Sequence, residues 1–180
     1  MSKYLFFLFS ITMFSQQPET QQYIIVKSMD GVDIRYYPPS MKAKVTSNNN
    51  FSKLFKYISG HNLDNTKIAM TTPVYMTNKG GLSTMEFVLP SRYLDTSVIL
   101  PKDNSIEVYR SKEGVFAAIS YGGYSNSEKI AKNYRLLIEK LTQENIIVIS
   151  DSPIVLSYDA PYKVFNRRNE ILLEVVYGTN

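Results

Sequence analysis

Residues 67–76 read KIAMTTPVYM. The run is strand-like at both ends, but two threonines and a proline interrupt it, and the interruption decides how the chain on either side is laid out. Pro73 has no amide hydrogen and cannot sit in the middle of a regular ladder. It also drives Thr72 into extended geometry. The expected result is a bend, an edge strand or bulge at which the hydroxyls of Thr71 and Thr72 satisfy backbone groups left unpaired.

Upstream of the bend, Phe51, Leu54, Phe55 and Ile58 fall at i, i+3, i+4 and i+7, the spacing of an amphipathic helix, with a cap offered by Asn48 to Asn50 and a stop at Gly60. Ahead of that helix come two strands, 23–28 and 32–37, around a tight turn at Asp30-Gly31, and a third extended segment at 41–47. Downstream, strands 67–77 and 83–89 are joined by Asn78-Lys79-Gly80-Gly81. The order is strands, helix, strands. It recurs from residue 106: strands 106–110 and 115–121, a break at Gly122-Gly123, and a capping box of Ser125 with Glu128. A longer helix follows, striped by Ile130, Tyr134, Leu137, Ile138 and Leu141, and then strands 146–149, 154–158 and 170–177. The repeat rests on element order, since residue identity between the halves is low. Two copies of strands plus a helix predict an α+β fold, a pseudo-twofold repeat whose antiparallel strands form a distorted β-barrel flanked by two α-helices. The domain runs over 23–177, with halves at about 23–90 and 105–177, a connector at 91–104 and a short N-terminal segment at 16–22.

A length of 180 residues suits one domain, and 44% hydrophobic with 20% charged residues suits a globular core. Lys3, the apolar run 4–14 and the small residue Ser15 have the layout of a secretory signal peptide, expected over residues 1–15, and the run is too short for the roughly 20 residues that span a bilayer. Secretion or delivery to a periplasm is therefore expected, without stable membrane insertion once the leader is removed. The net charge of +4 comes from scattered lysines and arginines, with no basic run to track a phosphate backbone, so nucleic acid is not expected as a partner. Zero cysteines exclude disulfides and thiolate metal sites, and His61 is the only histidine. No Gly-rich phosphate loop, paired carboxylates or metal-ligand cluster appears, which weighs against an enzyme. What stands out is 14 tyrosines, 9 phenylalanines and 7 methionines, enough to build a core and to line an apolar cleft for a flat ligand.

KIAMTTPVYM closely resembles the Lys-Ile-x-Met-Thr-x-Pro-Val element of the SOUL family of heme-binding proteins. PYKVFNRRNEIL at 161–172 resembles that family's Pro-x-Lys-x-x-x-Arg-Arg-Asn-Glu segment. Gly122-Gly123-Tyr124 looks like its Gly-Gly-Tyr position, and Tyr57-Ile58-Ser59-Gly60-His61-Asn62 looks like its Tyr-Ile-x-Gly-x-Asn helix end. The matches come in family order and cover about residues 23–177.

The resemblance implies a two-helix barrel that binds heme or another tetrapyrrole on an apolar face near the first helix; a carrier, buffer or sensor rather than a catalyst, and a monomer, is the expectation. By that analogy Phe51, Leu54 and Phe55 meet the ring, although all three serve equally well as helix core. Lys56 and Lys163 fall where relatives carry basic residues for the propionates. Tyr36 stands where some members have an axial histidine, and a phenolate can ligate ferric iron. The basic residue that some members carry near Asn48 to Asn50 is missing, so apolar contact is expected to outweigh iron ligation. The fold also resembles effector-binding domains with an acid in a cleft. Glu170 is the candidate, either as the acid of a small-ligand cleft or hydrolase, or as a buried ion pair with Arg167 or Arg168. A raised carboxyl pKa is the condition for catalysis. A third reading gives the aromatic surface to a protein partner.

Overall fold

The computed structural model of the chain describes residues 17–178, and the leader expected over residues 1–15 lies outside them. In chain order the elements are β1 (Glu19–Thr20), β2 (Ile24–Met29), β3 (Val32–Tyr37), β4 (Met41–Thr46), α1 (Asn50–Ile58), β5 (Thr71–Thr72), β6 (Val74–Lys79), β7 (Leu82–Val88), β8 (Glu107–Arg110), β9 (Gly114–Gly122), α2 (Ser127–Gln143), β10 (Ile147–Val148), β11 (Ile154–Ser157) and β12 (Arg168–Val176).

The large sheet is antiparallel and runs β2-β3-β9-β12-β11-β6-β7-β4-β8, with β10 attached to β12. Without β2, this order reads the same from both ends when β3 is exchanged with β8, β4 with β9, β6 with β11 and β7 with β12. The two halves are therefore related across the central β6–β11 pair, and, with β2 left out of the count, each half lends its first strand to the other: β3 pairs β9, and β8 pairs β4.

The expected barrel does not close. Among the described residues β2 pairs only with β3 and carries a bulge between Ile25 and Lys27, while β8 pairs only with β4, so the described sheet keeps two open edges. It still curls, because Tyr37 of β3 and Val88 of β7 lie in one buried cluster although four strands separate them in the sheet.

Strand alternation sends side chains to two faces. On one face, Leu54, Tyr57 and Ile58 of α1 bury against Ala43, Val45 and Phe87, and Leu137 and Leu141 of α2 bury against Val32, Ile34, Ala117, Ile171 and Leu173. The opposite face carries the third cluster, Tyr37, Tyr75, Val88, Ala118, Leu156 and Leu172, with Tyr23 from the N-terminal segment packed onto it. That segment is tied down by Gln21, which donates to Ser40 at 3.2 Å and accepts from the Tyr75 hydroxyl at 2.6 Å.

The bend at 67–76 is real, and it moves the strand start. Residues 67–70 are not strand; Ile68 is buried, and its amide donates to the Ile58 carbonyl at 2.8 Å. β5 leaves the main sheet to pair in parallel with β1, and β6 resumes after a cis Thr72-Pro73 bond. Of the two threonines only Thr71 meets a backbone group as expected, its Oγ1 donating to the Val88 carbonyl; Thr72 Oγ1 instead lies 3.0 Å from the side-chain Oγ1 of Thr20. Asn62 of the helix-end motif is fully buried, donating to the Tyr57 and Thr66 carbonyls and accepting from the Thr66 amide. Gly60, at φ +109°, makes the left-handed exit from α1 that other residues rarely adopt. The expected capping box on α2 does not form. Asn126 is the cap, its Oδ1 accepting from the Lys129 amide at 2.8 Å, while the Ser125 hydroxyl is engaged with Tyr121 OH.

Candidate functional site

The outer face of α1 carries two aromatic side chains that the core does not use. Leu54, Tyr57 and Ile58 point inward, and Phe51 and Phe55, one helical turn apart, remain 40% and 49% exposed. Their rings stack with centroids 5.7 Å apart and planes 11° from parallel. Phe51 also meets buried Phe87 of β7 edge to face, at 5.7 Å and 66°. The pair is thus anchored to the core below and open above. Beside it lies an open depression of about 420 Å³ lined by Ser47, Asn48, Asn49, Asn50, Phe51, Ser83 and Met85.

The start of α1 borders this depression and is electrostatically uncompensated. Asn49 makes no side-chain cap hydrogen bond, no acid occupies the first turn, and the Asn50 amide group is spent on the Ser83 carbonyl at 2.8 Å. An anionic group in the depression would face the positive end of the helix dipole. At the other end, exposed Lys56 occupies the last turn, and exposed His61 follows in the loop. Stacked aromatic faces with positive charge at their margins suit a flat, apolar molecule bearing anionic groups.

The sequence candidates therefore separate. Phe51, Phe55 and Lys56 share the exposed surface of α1, whereas Leu54 is fully buried beneath it. Lys163 sits in the loop between β11 and β12, paired with Asp159, and among the described residues no hydrogen bond or ion pair joins it to α1. Tyr36 belongs to the other half's sheet, on the strand face that carries Val32 and Ile34. Its hydroxyl donates to Glu113 at 2.6 Å, a bond that pushes the phenol pKa up and away from phenolate.

Glu170 lies in the sheet, fully buried, and lines neither the α1 depression nor the smaller pocket of about 160 Å³ beside residues 38–41. Arg35 reaches it at 2.8 and 3.2 Å, Arg168 at 2.7 and 3.3 Å, Tyr158 OH at 2.7 Å and Ser120 Oγ at 3.0 Å. Burial works to raise its pKa, but the bonds from Arg35, Arg168 and Tyr158 together prevail and hold the carboxyl below its usual range. The raised pKa needed for catalysis is absent, and the geometry is that of an ion pair. Arg167 is not a partner, since it donates to the carbonyls of Ala160 and Lys163. Sequence reasoning missed Phe87 and Met85 of β7 at the α1 surface and Arg35 at Glu170; each reaches its partner through tertiary pairing that no local spacing announces.

Comparison with known proteins bears on this arrangement. Human (Homo sapiens) Heme-binding protein 2 is 28% identical over 158 residues, covering 78% of this chain and 76% of that protein. Heme-binding protein 1 of Xenopus laevis is 29% identical over 126 residues, 66% of this chain and 65% of that protein, so the match spans a little under two thirds of that relative. Among solved structures, the EcmrR C-terminal domain superposes with a TM-score of 0.57 at 11% identity over 82% of this chain and 98% of that one. A hydrolase from Listeria innocua gives 0.58 at 8% identity over 91% and 95%. Likeness at such identities is a likeness of fold. The family model for SOUL heme-binding protein matches residues 18–174, and the chain belongs to that family.

Proposed function

We propose that the protein binds heme, or a related flat tetrapyrrole, against the outer face of α1 and holds it without transforming it, as an exported carrier, buffer or sensor. The observation that carries this reading is the stacked, half-exposed Phe51–Phe55 pair braced on Phe87. A porphyrin laid on these rings gains apolar contact without any rearrangement of the core. Its propionates find the uncapped start of α1 at one margin and Lys56 at the other. The family and its heme-binding relatives support the choice of ligand. The leader-like residues 1–15 support export. Tyr36 plays no part in this reading, because its hydroxyl is committed to Glu113 on the other half.

Hemin titration of the chain from residue 16, followed in the Soret band, tests the proposal. Saturable binding at micromolar hemin is expected, weakened about tenfold by either Phe51→Ser or Phe55→Ser, the equivalent of about 1.4 kcal/mol. Tyr36→Phe is expected to leave the spectrum unchanged. Absence of a saturable Soret change, or full binding in the Phe51→Ser/Phe55→Ser double variant, would overturn the reading.

A further inference from the structure

The loop between β11 and β12 is built with its polar groups turned inward and its apolar side chains turned out. Arg167, itself buried, donates from Nη1 to the carbonyls of Ala160 at 2.8 Å and Lys163 at 2.7 Å, and its guanidinium lies 4.6 Å from the Tyr124 ring centre. Asp159 accepts from the Arg168 amide at 2.6 Å and pairs with Lys163, whose own amide donates to the Ala160 carbonyl. Tyr124 OH reaches the Pro161 carbonyl at 3.4 Å. Asn166 turns the chain through φ +50°. On this frame Tyr162 is 86% exposed, Phe165 80%, Val164 58% and Tyr124 52%. Two aromatic side chains so nearly free of neighbours protrude; they do not line a groove.

We propose that this loop is a docking tip by which the protein sits on an anionic lipid surface, with Tyr162, Val164 and Phe165 entering the headgroup boundary. The charge around the tip chooses the occupant. Lys163 and Lys129, whose Nζ donates to the Gly122 carbonyl beside Tyr124, are partly exposed cations beside the aromatic cluster, and partly exposed Arg168 follows the loop, its guanidinium over the Tyr158 ring and on Glu170. The carboxylates paired with them are withdrawn, Asp159 with its side chain 13% exposed and Glu170 with none. A protruding aromatic tip flanked by cations matches an interface of acyl chains and anionic headgroups. A second copy would bring the same cations against these. No helix among the described residues is long and apolar enough to cross a membrane.

The test uses the chain from residue 16, which carries every described element of the fold, in sedimentation with vesicles of phosphatidylcholine alone or with added phosphatidylserine. Binding is expected to require phosphatidylserine, to weaken with salt, and to fall about tenfold in Tyr162→Ser/Phe165→Ser. That variant alters only exposed side chains, so its thermal unfolding and hemin titration serve as controls and should not change. In Phe165→Trp, phosphatidylserine vesicles should shift tryptophan emission to the blue. Failure to sediment with these vesicles, or sedimentation that the double serine variant retains in full, would overturn the proposal. So would a concentration-dependent dimer, or retention on immobilised polyglutamate without vesicle binding, abolished by the same variant; these outcomes would assign the tip to a second copy or to an acidic protein.

Discussion

Placing a carboxylate inside a sheet costs several kcal/mol unless every lone pair finds a donor and the charge finds a partner. At Glu170 the two guanidinium groups of Arg35 and Arg168, with Tyr158 and Ser120, meet that demand. The folded pKa lies below the unfolded value, so the stabilisation is fully present above the ordinary glutamate range and is lost as pH falls through the depressed folded value. Urea unfolding is therefore expected to show a loss of stability below about pH 4.5 that Glu170→Gln makes shallower, the remainder belonging to Asp30, Asp103 and Asp159, whose carboxyls are also held below their usual range. At neutral pH that variant is expected to be about 3 kcal/mol less stable, because buried Arg35 loses its buried counter-charge and keeps, among the described residues, the partly exposed Asp33 at 2.9 Å. The sequence showed Arg168 as a partner through proximity in the chain, but Arg35 lies 135 residues away, and only the β3-β9-β12 adjacency delivers it. A similar limit applies on α1. Spacing places Phe51, Leu54 and Phe55 on one broad stripe, and the contact with β4 and β7 decides that Leu54 goes in while the two phenylalanines stay half out.

Helices were the more legible elements, because an apolar stripe with a 3.6-residue period is written locally. Their ends were less so. Ser125 and Glu128 have the capping-box spacing, yet Asn126 takes the role, since Ser125 is drawn to Tyr121 at the end of β9. Asn126→Ala is accordingly expected to lower stability by about 1 kcal/mol in thermal or urea unfolding, whereas Ser125→Ala should cost clearly less. Among strands, the run 67–77 was read as one element and is two. Its first residues turn away from the ladder to pack Ile68 under α1, and Thr71 and Thr72 pair with a segment, Glu19–Thr20, too short and polar to read as a strand. Proline and threonine chemistry indicated a bend; where the freed strand would find a partner was a tertiary matter.

At the scale of the whole molecule, the repeated order of strands, helix and strands was readable from patterning alone, and the sheet's palindromic strand order agrees with it. The exchange of first strands was not, because β3 and β8 carry the same alternating pattern whichever half receives them. Nor was the open edge, since closure depends on what lies beside β2 and β8 and not on their composition. The exchange has an experimental consequence. Fragments 17–96 and 97–180, cut within the connector, should each lack a cooperative unfolding transition when alone and regain one, with native far-ultraviolet dichroism, when mixed. A transition in either isolated fragment would contradict the pairing of β3 with β9 and of β8 with β4. The same exchange sets what half of the chain can form by itself. A chain of half this length, following either half's plan, would hold a sheet missing its outer strand and a first strand with nowhere to lie, and two such chains would complete each other only by trading arms. The single chain holds that traded-arm arrangement within itself, with β3 lent to β9 and β8 to β4.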